Sequence, residues 1–259
     1  MKKTIISCVL FLTAVTAFSQ TPMKTAAEAK LSASDLAVKI ADRILATTTY
    51  EFKNTKTGKT YKSVKNLPVD MNVKVACKYN NWHYTNGVTH IALMELADKT
   101  GAKKYDDYVL KNMNFVFNEG NLDFFKKQYE QAMKNEGWYS VRKLSWHMIF
   151  RGKRLDDNGP MGASLIDLQM KHPNNSFLNY INETAEHLNY GEPRLADGTI
   201  ARIWPHENTI WADDAFMAIS FLARMAKMTG DMSYINDAAN QVIKYHKYCL
   251  LYTSDAADE

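Results

Sequence analysis

Apolar and polar positions along this chain repeat at long intervals. Displaced by 57 residues, Leu165 falls on Leu222, Leu168 on Met225, Phe177 on Tyr234 and Leu178 on Ile235, with Asp156-Asp157 on Asp213-Asp214. A displacement of 129 sets Trp82 on Trp211, Leu93 on Leu222, Thr100-Gly101 on Thr229-Gly230 and Tyr105 on Tyr234. Three copies of one unit follow. Each opens on a polar turn (Asn86-Gly87, Asp156 to Pro160, Asp213-Asp214) and continues into an apolar helix, predicted over Val88–Lys99, Pro160–Lys171 and Ala215–Met228. Only Arg224 and Lys227 are charged in the last of these, so protein must cover nearly all of its faces. A second helix follows each time, over Tyr105–Val116, Phe177–Leu188 and Ser233–Tyr245. Its apolar residues recur at helical spacing between polar ones, which makes it an outer, half-solvated layer. An earlier helix near Ser34–Ala46 would complete a fourth pair.

Alternating inner and outer helices predict an all-α protein. The expected form is a toroid of helical hairpins, about three to four of them present, with few strands. A straight helical solenoid is the competing arrangement, but its repeats run to about 34–47 residues. Intervals of 57 and 72 leave room for long loops at one rim.

The two ends read differently. Lys2-Lys3, the apolar stretch Thr4–Ala17 and the small residues Ala17 and Ser19 compose a secretory signal over residues 1–19, which predicts a secreted or periplasmic protein. Residues 249–259 break the helical pattern and read as a non-native tail, so the partial toroid is assigned to residues 20–248, with further hairpins expected beyond Tyr248. A chain ending there exposes inner-helix surface and is expected to fold poorly or to be inactive. Composition is that of an ordinary folded domain, 46% apolar and 23% charged. Without its ends the chain keeps one cysteine, Cys77, which excludes a disulfide framework and a thiolate metal site. It then carries 30 basic and 25 acidic residues, a mild excess that does not suggest nucleic acid but suits an acidic substrate. The basic stretch Lys53, Lys56, Lys59, Lys62 and Lys65 reads as a solvated loop.

The repeat has a chemical consequence. Asp156 and Asp213 occupy equivalent positions at the starts of neighbouring inner helices, and should face one cleft as paired carboxylates. Capping of the helix ends accounts for such aspartates as well as catalysis does. Trp82, His83, Tyr84, Trp138, Tyr139, Trp146, His147, Trp204, His206 and Trp211 lie in segments leading to the same rim. Aromatic platforms with a few polar groups are what sugar rings bind.

The stretches Arg154-Leu155-Asp156-Asp157-Asn158-Gly159-Pro160 and Asn208-Thr209-Ile210-Trp211-Ala212-Asp213-Asp214-Ala215-Phe216-Met217, with Thr229-Gly230-Asp231 and Tyr234 beyond, resemble glycoside hydrolases of families 88 and 105, the unsaturated glucuronyl and rhamnogalacturonyl hydrolases. The resemblance leans to the rhamnogalacturonyl branch. It implies the (α/α)6 barrel and a hydration mechanism on oligosaccharides left by polysaccharide lyases, whose terminal uronate carries a C4=C5 double bond. A proton goes to C4 and water to C5, and the resulting hemiketal opens and releases the next sugar. No metal and no organic cofactor are implied. Asp213 would be the general acid and base, and Asp156 would hold the water or ring hydroxyls. Trp211, Asp214, Asp157, His206, Arg202, Trp82, His83, Trp146 and His147 are the candidate substrate contacts. An unsaturated acidic oligosaccharide is the expected partner, with neither nucleic acid nor, after signal cleavage, membrane. Another toroid glycosidase, a sugar epimerase and a non-catalytic glycan-binding protein remain alternatives.

Overall fold

The computed structural model of the chain describes residues 32–117, 120–152, 154–204 and 206–255, with the signal-like segment outside them. Two compact units divide at Asp42, and helix α1 (Ala33–Thr47) crosses that division. The second unit holds everything that follows.

Its framework is three inner helices: α2 (Tyr84–Thr100), α7 (Leu155–Lys171) and α9 (Ala212–Thr229). Each is backed by an outer helix: α3 (Lys104–Phe117), α8 (Asn175–Glu186) and α10 (Met232–Asp255). Left-handed Gly101 and Gly230 close α2 and α9, donating their N–H groups to Ala97 and Ala226. Only glycine adopts that conformation without strain, which is why Thr-Gly recurs at both hairpin turns. The inner helices lie parallel. Their beginnings touch at Gly87 against Pro160 and Gly159 against Met217, and their later turns are tied by Lys171–Asp98 at 2.8 Å and Arg224–Asp167 at 2.6 Å. Among the described residues no helix is long and apolar enough to cross a membrane.

The all-α expectation holds, with differences of detail. Asn86-Gly87, Asp156 to Pro160 and Asp213-Asp214 are not loop turns; they belong to the opening turns of α2, α7 and α9. Glycine and proline usually break a helix, but Pro160 removes only the bond to the Asp156 carbonyl near the helix start, and both glycines lie where a neighbouring backbone leaves no room for a Cβ. The lysine-rich stretch is partly a hairpin. Strands β1 (Phe52–Asn54), β2 (Thr60–Tyr61) and β3 (Val73–Val75) form an antiparallel sheet in the order β2-β1-β3. Alternation of side chains buries Phe52 and Asn54 and puts Lys53 in solvent. A further helix, α4 (Asn121–Asn135), turns Phe124, Phe125 and Gln128 inward. The short helices α5 (Trp138–Val141) and α6 (Met148–Arg151) then lead into α7. Helix α10 continues to Asp255, past the end its apolar pattern predicts.

His90 sits inside α2 against the ring of Tyr108, fully buried, with no hydrogen-bond partner on either ring nitrogen. Burial pushes its pKa down to about 4. The folded chain therefore holds a neutral imidazole while the unfolded chain takes up a proton near pH 6.5, so stability is lost as pH falls from there towards 4. Between pH 7.5 and pH 5 this one group should cost about 2 kcal/mol. In His90→Leu that share of the slope should vanish, as measured by urea unfolding at the two pH values. Equal slopes in the two proteins would refute the assignment.

Candidate active site

The acidic pairs take the same two positions in their helices. Arg154 and Trp211 are the N-cap residues of α7 and α9, and neither cap uses a side-chain hydrogen bond. Asp156 and Asp213 are thus second in their helices, and Asp157 and Asp214 third. None of the four is an N-cap, although all lie where a helix favours negative charge.

Within each pair the two acids have different surroundings. The third-position acids are buried and clamped by arginine. Asp157 takes both Nε and a terminal nitrogen of Arg151, and its backbone carbonyl accepts the Trp82 indole N–H at 2.6 Å. Asp214, 1% exposed, takes Nε and a terminal nitrogen of Arg202 at 2.6 and 2.7 Å. Burial pushes both carboxyls above their usual range, and the arginines pull them partly back. The second-position acids face outward and towards each other. Asp156 is 28% exposed and Asp213 53%, and oxygens of Asp156, Asp213 and Asp214 all lie within 4.8 Å of one another. Arg202 joins them, 3.3 Å from Asp156 and 3.7 Å from Asp213. Its guanidinium also lies 4.1 Å from the centre of the Trp211 ring, a cation–π contact.

Arg202 is placed by a doubled-back loop. Antiparallel bridges pair Arg194 with Ile200 and Arg202 with Thr209. The loop is pinned to α10 by Arg194 on Asp237, by the Ile200 N–H on Gln241 at 2.9 Å and by the Tyr245 hydroxyl on the Ile200 carbonyl at 3.1 Å. His206 is exposed at its tip, where its backbone carbonyl accepts the Thr209 hydroxyl. Trp204 is exposed beside Arg154.

The remaining candidates divide. His83, the N-cap of α2, is half-buried; burial lowers its pKa and the negative charge of Asp156 raises it, which places the ring at the edge of the acidic cluster. Trp82 and Trp146 are not sugar platforms. Both are fully enclosed, Trp82 edge-on to Tyr180 and Trp146 against Phe125, so neither presents a ring face. Trp146 holds a positive φ of 62°, strained for so bulky a residue, and the Asn81 side chain accepts its backbone N–H together with that of Trp82. His147 is buried with Nδ1 on the Leu144 carbonyl, and burial lowers its pKa. Asp157 and Asp214 are taken up in ion pairs with Arg151 and Arg202, and through Arg202 Asp214 is tied to Asp156 and Asp213. Of the aromatic candidates, Trp211, Trp204, Tyr84, Tyr139 and Trp138 are exposed, the last facing Arg151.

Glu192 has no sequence signal. A π-helical turn at His187–Gly191 ends α8 and carries it inward, where its carboxyl meets His187 Nε2 at 2.9 Å. Burial drives its pKa up to about 8, with Asp214 adding to the rise and Arg194 and Arg202 opposing it. Arg151 is equally silent in the sequence, six residues ahead of the acid it clamps.

Comparison with known proteins fits this geometry. The sequence profile of Glycosyl Hydrolase Family 88 matches residues 56–257, most of the chain. Among solved structures, one from Klebsiella pneumoniae, described as a possible member of family GH105, aligns at 12% identity and a TM-score of 0.50, covering 84% of this chain and 48% of that one. Another possible GH105 member, from Salmonella enterica, aligns at 13% identity and a TM-score of 0.49, covering 84% and 49%. The chain thus spans about half the length of the solved structures it matches. No curated protein matches it. With a profile match over both acidic helices and a shared fold of paired helices, the chain belongs to glycosyl hydrolase family 88.

Proposed function

We propose that the protein is an exported hydrolase that removes the 4,5-unsaturated uronate from the non-reducing end of lyase-generated oligosaccharides, of pectin or rhamnogalacturonan type. The observation that carries this reading is the convergence of Asp156 and Asp213 from neighbouring inner helices onto one guanidinium, with Asp213 open to solvent. In this reading Asp213 delivers its proton to C4 of the vinyl ether. Water then bonds to C5, and the carboxylate recovers a proton from it. The C5 hemiketal opens by breaking its bond to the ring oxygen, which leaves a ketone at C5 and a hemiacetal at C1. That hemiacetal expels the next sugar as an alcohol, so one water is consumed and the acid is regenerated. Asp156, held by Arg202, is placed to hold the water or a ring hydroxyl.

The same distances disfavour an inverting glycosidase, which needs its carboxyls about 6.5–9.5 Å apart to admit a water between them. The deciding experiment follows the ultraviolet absorbance of the C4=C5 bond while the protein acts on an unsaturated disaccharide. Absorbance should fall in step with release of the second sugar. Release from a saturated disaccharide instead would assign an ordinary glycosidase, and binding without release a glycan-binding protein.

A further inference from the structure

We propose that Arg154, braced by Trp204, is the specificity-determining residue that receives the carboxylate of the acidic sugar. This rests on the function proposed above and names the cation that such a substrate needs.

Most arginines beside the acidic cluster are already paired. Arg151 is held by Asp157, Arg194 by Asp237, and Arg202 by Asp214, Asp156 and Asp213. Their fork-shaped donors are already turned to carboxylates. Arg154 stands apart: its side chain is exposed, and among the described residues no carboxylate lies within ion-pair distance of it. It is nevertheless at the site. It is the N-cap of α7, two residues before Asp156, and its guanidinium lies 5.5 Å from the centre of the Trp204 ring. Trp204 in turn is two residues past Arg202 on the same loop. The Arg154–Trp204 contact therefore spans from the start of α7 to the loop that carries the Arg202 clamp.

Two physical consequences favour a carboxylate here. Asp156, Asp213, Asp214 and Glu192 gather around Arg202, and ionised carboxyls among them repel an anionic sugar unless a cation outside the cluster offsets them. A guanidinium resting on an indole keeps its in-plane N–H donors free while losing side-chain freedom in advance, which suits two-point recognition of a carboxylate. An ammonium supplies the charge without the fork.

The test compares an unsaturated uronyl disaccharide with its methyl ester. In the unaltered protein the free acid should be preferred through KM. Arg154→Gln should raise KM for the acid about 10- to 100-fold, change kcat little and barely affect the ester. Arg154→Lys should recover part of the loss. If Arg154→Gln keeps the full preference for acid over ester, the assignment is wrong. If neither compound is turned over, the proposed reaction fails, yet calorimetric binding of a saturated uronyl disaccharide and its ester still decides the role of Arg154. Preference for the acid in the unaltered protein and its loss in Arg154→Gln would uphold the assignment; the absence of either would overturn it.

Discussion

Asp213→Asn should lower turnover of an unsaturated disaccharide about 10²–10⁴-fold, the usual contribution of a positioned general acid, while leaving the unfolding midpoint close to that of the unaltered protein. The amide cannot deliver a proton, so the chemical step fails. The fold should not notice, because the Asp213 side chain is 53% exposed and lies 3.7 Å from Arg202, beyond hydrogen-bond length. Its neighbour should behave in the opposite sense. Asp214→Ala removes the partner that holds Arg202 by two short bonds and leaves a mostly buried guanidinium with only its longer contacts to Asp156 and Asp213, a change that costs about 1.5–3 kcal/mol. Turnover would fall there as well, but through loss of the folded state and of Arg202 from its place beside Asp156. Urea unfolding run alongside the absorbance assay separates the two effects. If both variants lost stability equally and neither changed turnover per folded molecule, the acidic cluster would be structural and the catalytic assignment would be wrong.

Gly159→Ala should destabilise the protein by about 3 kcal/mol or more, the upper range for overpacking a tight core, and lower Tm by about 6–12 °C for a chain of this size. A Cβ at Gly159 would stand 2.5 Å from the Met217 carbonyl oxygen and under 3.0 Å from two further Met217 backbone atoms. Backbone cannot swing aside, so α7 and α9 would have to separate. That movement also draws Asp156 away from Asp213, and turnover should fall with stability. Alanine improves helix propensity by about 1 kcal/mol over glycine, too little to offset such a clash. Gly162→Ala is the matched control. There the new Cβ would meet the buried Phe221 ring at 2.9 Å; a side chain yields more than backbone does, so with the propensity gain the loss should be clearly smaller than for Gly159→Ala. Equal melting temperatures for the two variants would refute the close-packing account.

Much of this arrangement was legible in the sequence because periodicity and register are properties of the chain itself. The displacement of 57 residues that superposes Asp156 on Asp213 also superposes their positions in α7 and α9, so spacing alone placed both acids at one rim. Other features depend on contacts that a sequence does not display. Gly159 and Pro160 read as a turn by local preference, and only the Met217 backbone beside them explains a helix there. Trp82 and Trp146 read as platforms because aromatic residues near a rim serve equally as lining or as core; the indole bond to the Asp157 carbonyl decides for core at Trp82, and enclosure against Phe125 does so at Trp146. Helix α4 was hidden by its wealth of Asn, Gln and Lys. Glu192 was hidden by the π-helical turn, whose extra residue rotates the chain beyond what a regular helical count anticipates.

Gly87 and Gly159 are equivalent under the repeat, 72 residues apart, and the position 57 further on is Phe216. Twice the chain omits a side chain so that one inner helix can press against the next; the third time it installs a phenyl ring, 48% exposed. Any segment laid against that side of α9 must stand off by the thickness of the ring. The first two inner helices thus pack backbone to backbone near their starts, while α9 presents a ring on the equivalent face, three residues after Asp213.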